Sequence, residues 1–479
     1  MNDNLFDSYQ LLPNTWDEMY SNNDAIRSQY DIINSYLRNT SSEVIFKKEE
    51  LSRQLFMSQG VTFTVYSDNE GIEKIFPFDI VPRIITSEEW DKIDRGIKQR
   101  LRALNLFIKD IYHEQFILKD GIIPTDLIYS CPYFLREMKG VKVPHDVYVH
   151  IAGVDLIRNN DGEFYVLEDN LRTPSGVSYM LENREISKRI FPGILPKNNI
   201  RSVSNYPNLL YKKLKELSDQ SNPNVVLLTP GIYNSAYYEH TTLARLMGIE
   251  LVEGNDLVVK DHIVYMKTTN GLQRVDVIYR RVDDDYLDPL EFKSESRLGV
   301  AGIMSAYRKG NVNIVNAPGT GIADDKAIYI YVPDMIKYYL NEEPILKNIK
   351  TYQLGKPDEF KYVIDNIKDM VIKKTDGSGG YGMLMGHDAS DEEIKDYIDN
   401  VKKKPDNFIA QPVLRLSTAP CCIDGKLSPR CIDLRPFALV GRDGIDITPG
   451  GLTRVALKKG SLVVNSSQGG GSKDTWVIQ

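Results

Sequence analysis

The chain changes its hydrophobic period several times, and each change marks a new element. From Thr86 to His113 apolar residues fall at Trp90, Ile93, Ile97, Leu101, Leu104, Ile108 and Ile111, the spacing of one helix face, and Thr86 with Glu89 offers a capping box. The period then shortens. Val147 to Asn160 and Glu163 to Asn170 read as two strands around Asp161-Gly162, a dipeptide that favours a two-residue hairpin turn. Further on, the apolar run Val225 to Leu228, a helical segment through Leu243, Leu246 and Met247, and a strand at Leu251 and Val252 give the order of a small doubly wound unit. In the final third, Pro357 to Met370 predicts a helix opened by proline, Val371 to Lys374 a strand, Thr375 to Gly380 a glycine-rich turn and Tyr381 to Met385 a second strand. A helix starting at Ser390 and a strand from Phe408 to Val413 follow. The glycine- and serine-rich Ser466 to Ser472 reads as a loop before a packed end, Thr475-Trp-Val-Ile.

At 479 residues the chain exceeds one ordinary core. Three regions are expected: 1–215 with the helical start and the hairpin, 216–305 as the small doubly wound domain, and 306–479 as a lobe with the lysines and the glycine-rich turn. A net charge of -7 gives no basic footprint for nucleic acid, so small molecules are the expected partners. No apolar stretch reaches membrane-spanning length, and the polar start at Met1 to Tyr9 lacks the basic and apolar blocks of a secretory signal. A cytoplasmic location follows as an expectation. Cys131, Cys421, Cys422 and Cys431 show no Cys-x-x-Cys spacing, and the histidines form no His-Glu-x-x-His, so any metal should be hard and bound by oxygen. Nothing in the pattern fixes an oligomeric state.

The turn Lys373-Lys-Thr-Asp-Gly-Ser-Gly-Gly-Tyr-Gly lies between strands, unlike the P-loop or the Rossmann fingerprint, each of which opens a helix. Gly377, Ser378, Gly379 and Gly380 could still bring backbone N–H groups close to phosphate oxygens while Lys373 supplies charge; the competing reading is a hairpin without a ligand. Lys326, in Asp324-Asp-Lys, is a second lysine candidate, or an ordinary solvated helix start. Lys373 to Val413 resembles the nucleotide module of the ATP-grasp fold, and that resemblance implies that Phe408-Ile-Ala-Gln-Pro-Val is a hinge whose backbone near Gln411 and Val413 meets an adenine. Magnesium takes oxygen donors and usually one or two carboxylates. Glu168 and Asn170, two apart on a strand, point to one face. With a two-residue turn, Asp155 opposes Glu168. Like charges opposed across strands are unfavourable without a cation between them, so Asp155, Glu168 and Asn170 are the metal candidates; the competing reading is that one carboxylate points to solvent, or that a longer loop shifts the register. Arg172 could clamp a phosphoryl oxygen or a substrate carboxylate, and with Lys373 it is a catalytic candidate. Arg280, Arg281 and Arg435 have the same capacity, or form structural ion pairs with neighbouring acids.

A metal-ligand hairpin first and a lysine-glycine module last is the order of the circularly permuted ATP-grasp proteins. Gly153-Val-Asp-Leu-Ile-Arg, Val166-Leu-Glu-Asp-Asn-Leu-Arg-Thr-Pro-Ser-Gly, Gly319-Thr-Gly-Ile-Ala-Asp-Asp-Lys and Gly377-Ser-Gly-Gly-Tyr-Gly-Met carry the likeness, and from about Pro77 to Ile478 the chain resembles a bacterial family of that kind. More distantly it is similar to glutathionylspermidine synthetase and eukaryotic glutathione synthetase. The resemblance implies an α/β, circularly permuted ATP-grasp fold with a small doubly wound domain. It implies Asp155, Glu168 and Asn170 as magnesium ligands, and Lys326, Lys373 and the glycine loop as ATP contacts. The implied activity is joining a carboxylate to an amine at the expense of ATP through an acyl phosphate. A phosphotransferase or a nucleotide-binding scaffold without turnover would use the same site.

Overall fold

The fold was obtained as a computed structural model that describes residues 5–6, 9–21, 25–67, 70–195, 199–375, 382–423, 425–458, 460–462, 464 and 470–479. Its largest element is a sheet of ten strands. Along its main path lie Lys347–Asn348, Phe164–Asn170, Ile151–Arg158, Lys426–Arg435, Leu452–Val455, Gly471–Val477 and Phe78–Ile85. Residues far apart in the chain therefore share one surface. The long helix Ser87–Tyr112 forms as its apolar stripe requires, with the capping box of Thr86 and Glu89 present. Its stripe packs on Val154, Leu156, Phe164 and Val166, one face of the hairpin. The chain end is packed as expected, with Trp476 buried in the strand Gly471–Val477.

The doubly wound unit is a parallel sheet in the order Asn313–Val315, Val277–Arg280, Val225–Leu228, Glu250–Val252, with helix Tyr237–Met247 linking the last two. A three-stranded antiparallel sheet, Leu257–Lys260, Ile263–Thr268 and Gly271–Arg274, is inserted before Val277–Arg280. Asn316, just beyond Asn313–Val315, joins this unit to the base of the hairpin. Its Oδ1 accepts from the N–H groups of His150 and Ile151 at 2.8 and 2.9 Å, and its Nδ2 donates to the carbonyls of Ile151 and Leu171, both at 2.7 Å. Asn316→Ala would leave these buried groups unpaired, so chemical denaturation should register a loss of at least about 2 kcal/mol.

The third unit is a lobe with its own core. Strands Tyr352–Gln353, Phe408–Pro412, Met370–Lys374 and Leu384–Met385 form an antiparallel sheet covered by helices Pro357–Asp365 and Asp391–Val401. The first of these helices is shorter than its pattern suggested, because the chain tightens into a 3-10 turn, Ile367–Asp369, before the strand. The strand expected from Tyr381 is regular at Leu384–Met385, and Tyr381 lies outside the described residues. All four cysteines are buried and unpaired. Among the described residues no helix is long and apolar enough to cross a membrane.

Candidate nucleotide and metal site

Asp155 does pair directly with Glu168, but the hairpin reaches that register by an unexpected path. The turn is longer than two residues. Arg158 pairs with Phe164, and the connection is closed by Asn159 N–H on Glu163 O at 3.0 Å and Gly162 N–H on Asn159 O at 2.9 Å. At Gly162 φ is 82°, and a Cβ would lie 2.4 Å from the Trp16 ring, so only glycine fits. The longer loop alone would offset the carboxylates by one residue. A β-bulge cancels the offset: Leu156 pairs with Val166, and Leu167 is the extra residue before Glu168. Beyond the bulge Asp169 turns to the helix side, where Arg100 holds it through Nε and Nη2 at 2.7 and 2.6 Å. Glu168 and Asn170 share the opposite face.

Opposed carboxylates call for positive charge, and arginines supply it. Arg435 grips Asp155 through Nε at 2.5 Å and Nη2 at 2.8 Å, while Arg454 Nη2 adds a bond to Oδ2 at 2.7 Å. Arg454 also holds Asp433 through its Nε, at 2.9 and 3.0 Å. Burial works to raise the Asp155 pKa, but the two guanidinium groups outweigh it and hold the carboxyl well below the usual range. The repulsion argument for a metal is thereby corrected: the pair is already compensated, and Asp155 has no oxygen without a partner. Arg435, a candidate substrate clamp from its sequence context, is an anchor for Asp155. Glu168 is more open, with a side chain 31% exposed and Lys326 Nζ 3.7 Å away.

Lys326 begins the short helix Lys326–Tyr329, which Asp325 caps by accepting from Ala327 N–H at 2.8 Å. Its backbone N–H donates to Thr375 O at 3.2 Å, joining this lysine to the start of the glycine-rich turn. Gly377, Ser378, Gly379 and Gly380 lie outside the described residues. Lys373 Nζ donates to Gln411 Oε1 at 2.8 Å, and Gln411 Nε2 donates to Thr351 Oγ1 at 2.9 Å. Burial pushes the Lys373 ammonium down to about 8; Glu168 and Asp155 oppose the shift and Lys326 adds to it. These four residues thus share one electrostatic neighbourhood. The expected hinge differs in detail, since Val413 N–H is committed to Asp369 O at 2.8 Å. Beside the hinge, Ile157, Tyr165, Leu167, Ile349, Leu414 and Leu416 form an apolar cluster. A cavity of about 380 Å³ opens there, lined by Tyr165, Ile349, Lys350 and residues 412–415.

The remaining arginines divide. Arg280 is buried, bonded to the carbonyls of Asn316 and Val282 and paired with Asp284 at 2.8 Å. Arg281 is buried too, with Nη1 donating to Pro174 O at 2.6 Å and Nη2 3.5 Å from Glu239 Oε1. Both are committed to buried protein groups. Arg172 stands apart from the two lysines in its bonding, with Nε on Asp324 Oδ2 at 2.8 Å. Burial raises the Asp324 carboxyl to about 6 in spite of Arg172. Arg454 and Asp433 carry no motif in the sequence that marks them for their part at Asp155. Their signal was an alternation of opposite charges, Asp433 and Arg435, at the end of the strand Lys426–Arg435, with Asp433 facing Arg454.

The donor set suits magnesium with a polyphosphate better than magnesium alone. Among the described residues no three His, Cys, Asp or Glu side chains gather as a metal cluster. Glu168 is an accessible carboxylate, and Asn170 beside it has a buried Nδ2 without a partner among the described residues, a donor that suits a phosphate oxygen. One or two carboxylates, with phosphate oxygens and water completing the shell, is the usual magnesium arrangement.

Residues 82–456 match the model of the circularly permuted ATP-grasp type 2 family, and the chain belongs to that family. It is 50% identical to an uncharacterized protein of Synechocystis sp. over 97% of each chain. An uncharacterized protein of Mycobacterium tuberculosis is 47% identical, over 99% of this chain and 85% of that one. A putative glutamate–cysteine ligase of Frankia alni is 38% identical over 99% of this chain, which spans 54% of the Frankia protein. Among solved structures, a glutathione synthetase-like effector from Globodera pallida in its apo form aligns with a TM-score of 0.59, at 12% identity over 92% of this chain and 98% of that one. At that identity the likeness establishes the fold. The ATP-grasp family implies use of ATP.

Proposed function

We propose that the protein is an ATP- and magnesium-dependent ligase that joins a carboxylate to an amine, releasing ADP and phosphate. The observation that carries this reading is the meeting of Glu168, Lys326 and Lys373, from three distant segments, at one place. The ligase names of the Frankia relatives and the glutathione synthetase-like fold point the same way. In this reading the γ-phosphoryl group of ATP passes to the substrate carboxylate, giving an acyl phosphate and ADP. The amine then attacks the acyl carbon and phosphate leaves. Lys373 and Lys326 hold phosphate oxygens, and Gln411 aims the Lys373 ammonium. Bound at Glu168 and Asn170, magnesium would neutralise charge that grows on the transferring group. Unpaired cysteines accord with a reducing cytoplasm.

Incubation with ATP, magnesium and a metabolite pool, followed by product analysis, tests the reaction. An amide with ADP and phosphate is expected; ADP with a stable phosphoester would replace ligation by phosphotransfer. Glu168→Gln should lose the thermal stabilisation that magnesium and a non-hydrolysable ATP analogue give the wild type, with little change in the ligand-free melting temperature. A variant stabilised as strongly as the wild type would move the metal elsewhere.

A further inference from the structure

Two opposite charges stand open beside each other at the carboxyl end of the strand Val277–Arg280. Arg172 is fixed from three sides. Its Nε–H donates to Asp324 Oδ2 at 2.8 Å, its guanidinium lies over the Tyr133 ring at 4.3 Å, and Gly321 makes room, since a Cβ there would sit 2.6 Å from Arg172 Cδ. Its Nη1 and Nη2 donate no hydrogen bond to any described residue. Asp283 lies closest to that free edge, with Oδ1 4.0 Å from Nη1, beyond hydrogen-bond length. It occupies the N-cap position of the helix Asp284–Leu287, where aspartate ordinarily accepts from the helix amides, yet it makes no such bond. Its side chain is 53% exposed. The neighbouring acids are occupied: Asp284 accepts from Gly319 N–H and pairs with Arg280, and Asp285 pairs with Lys293.

The location is independent of these contacts. In the order Asn313–Val315, Val277–Arg280, Val225–Leu228, Glu250–Val252, the winding direction reverses between the second and third strands. In open parallel sheets ligands bind outside the carboxyl ends of the strands at such a reversal. Arg172 enters that crevice because the chain just beyond it is tied there, Pro174 O accepting from Arg281 Nη1 at 2.6 Å.

A lone anion at Arg172 would be repelled by Asp283, and a lone cation at Asp283 by Arg172. A group carrying both charges side by side meets neither penalty. We propose that Arg172 and Asp283 recognise the zwitterionic head of an α-amino acid, free or within a small peptide, the guanidinium edge taking the carboxylate and Asp283 the ammonium. Binding stands without any reaction; only the role of that amino acid as a ligation partner rests on the ligase reading above.

The test uses the full chain with magnesium and AMP-PNP, and saturation-transfer NMR against mixtures of the common L-amino acids and γ-glutamyl dipeptides. At least one probe should bind at millimolar concentration or tighter, and its des-amino and des-carboxyl analogues should each bind about tenfold or more weakly, the loss of one charge-assisted contact. Asp283→Asn should erase discrimination against the des-amino analogue, with nucleotide affinity unchanged. Arg172→Gln should erase discrimination against the des-carboxyl analogue. Asp283 is exposed, so its variant folds and decides the matter alone should Arg172→Gln not fold. Absence of any binder, or a binder indifferent to both variants, would overturn the proposal. An amino acid that binds without amide formation leaves this site standing and sinks ligation; amide formation from substrates with no α-amino acid head does the reverse.

Discussion

Replacing Asp155 by alanine is expected to destabilise the nucleotide-free protein by about 3–5 kcal/mol, because it takes from Arg435 the carboxylate that grips it on two donors and leaves the buried Arg454 with Asp433 alone. Asp155 is completely buried, and Arg435 and Arg454 spend three of their donors on it. Urea denaturation without nucleotide or metal measures the loss. A variant as stable as the wild type would mean that Asp155 waits for a metal rather than anchoring arginines. The pH dependence has a definite sign. The folded pKa is depressed, so the contribution is present above the unfolded value, about 3.9, and disappears as the pH falls below it through the folded one.

Lys373→Met should weaken binding of an ATP analogue roughly tenfold to a hundredfold, the range for a hydrogen bond to a charged group. Melting without ligand should hold or rise, since burying an ammonium is unfavourable. Calorimetry between pH 7 and pH 10 separates the two contributions. The folded pKa, about 8, lies below the unfolded value, so above pH 8 the folded state surrenders its proton first and ligand-free stability rises with pH until the unfolded lysine also titrates. Nucleotide affinity moves the other way, falling by up to about tenfold per pH unit above 8 because the phosphates need the ammonium. In Lys373→Met both trends should flatten. Equal affinity in the variant would remove this lysine from the site.

Elements set by local period were legible in the sequence. The helix Ser87–Tyr112, the hairpin, the strand Val225–Leu228 and the helix begun by Ser390 follow from apolar spacing and caps a few residues long. The site was legible as a set of residue types in a family order. Its wiring was not. Arg435 and Arg454 reach Asp155 across 280 and 299 residues of chain, and Asn316 reaches Ile151 across 165. No local pattern carries such distances. Arg280 and Arg281 read equally as ligand clamps or as structural ion pairs, because a pair of arginines after an apolar run looks the same whether it meets a substrate or buried carbonyls. The register of Asp155 and Glu168 was anticipated from a turn that does not form, and it holds because the bulge offsets the longer loop.

That bulge does more than restore a count. A regular strand offers every second residue to one side, so Phe164–Asn170 could have displayed either its odd-numbered or its even-numbered residues, not some of each. With Leu167 inserted, Tyr165 and Leu167 join the apolar cluster by the hinge, Phe164 and Val166 stay under the long helix, and Asp169 returns to Arg100. Odd and even positions are spliced, so one strand face reads greasy, greasy, acid, amide. Such a strip matches a molecule with a flat aromatic end and a charged tail, laid lengthwise. Deleting Leu167 would preserve the carboxylate and remove the step from grease to charge, so it should blur the choice of base while sparing grip on the phosphates.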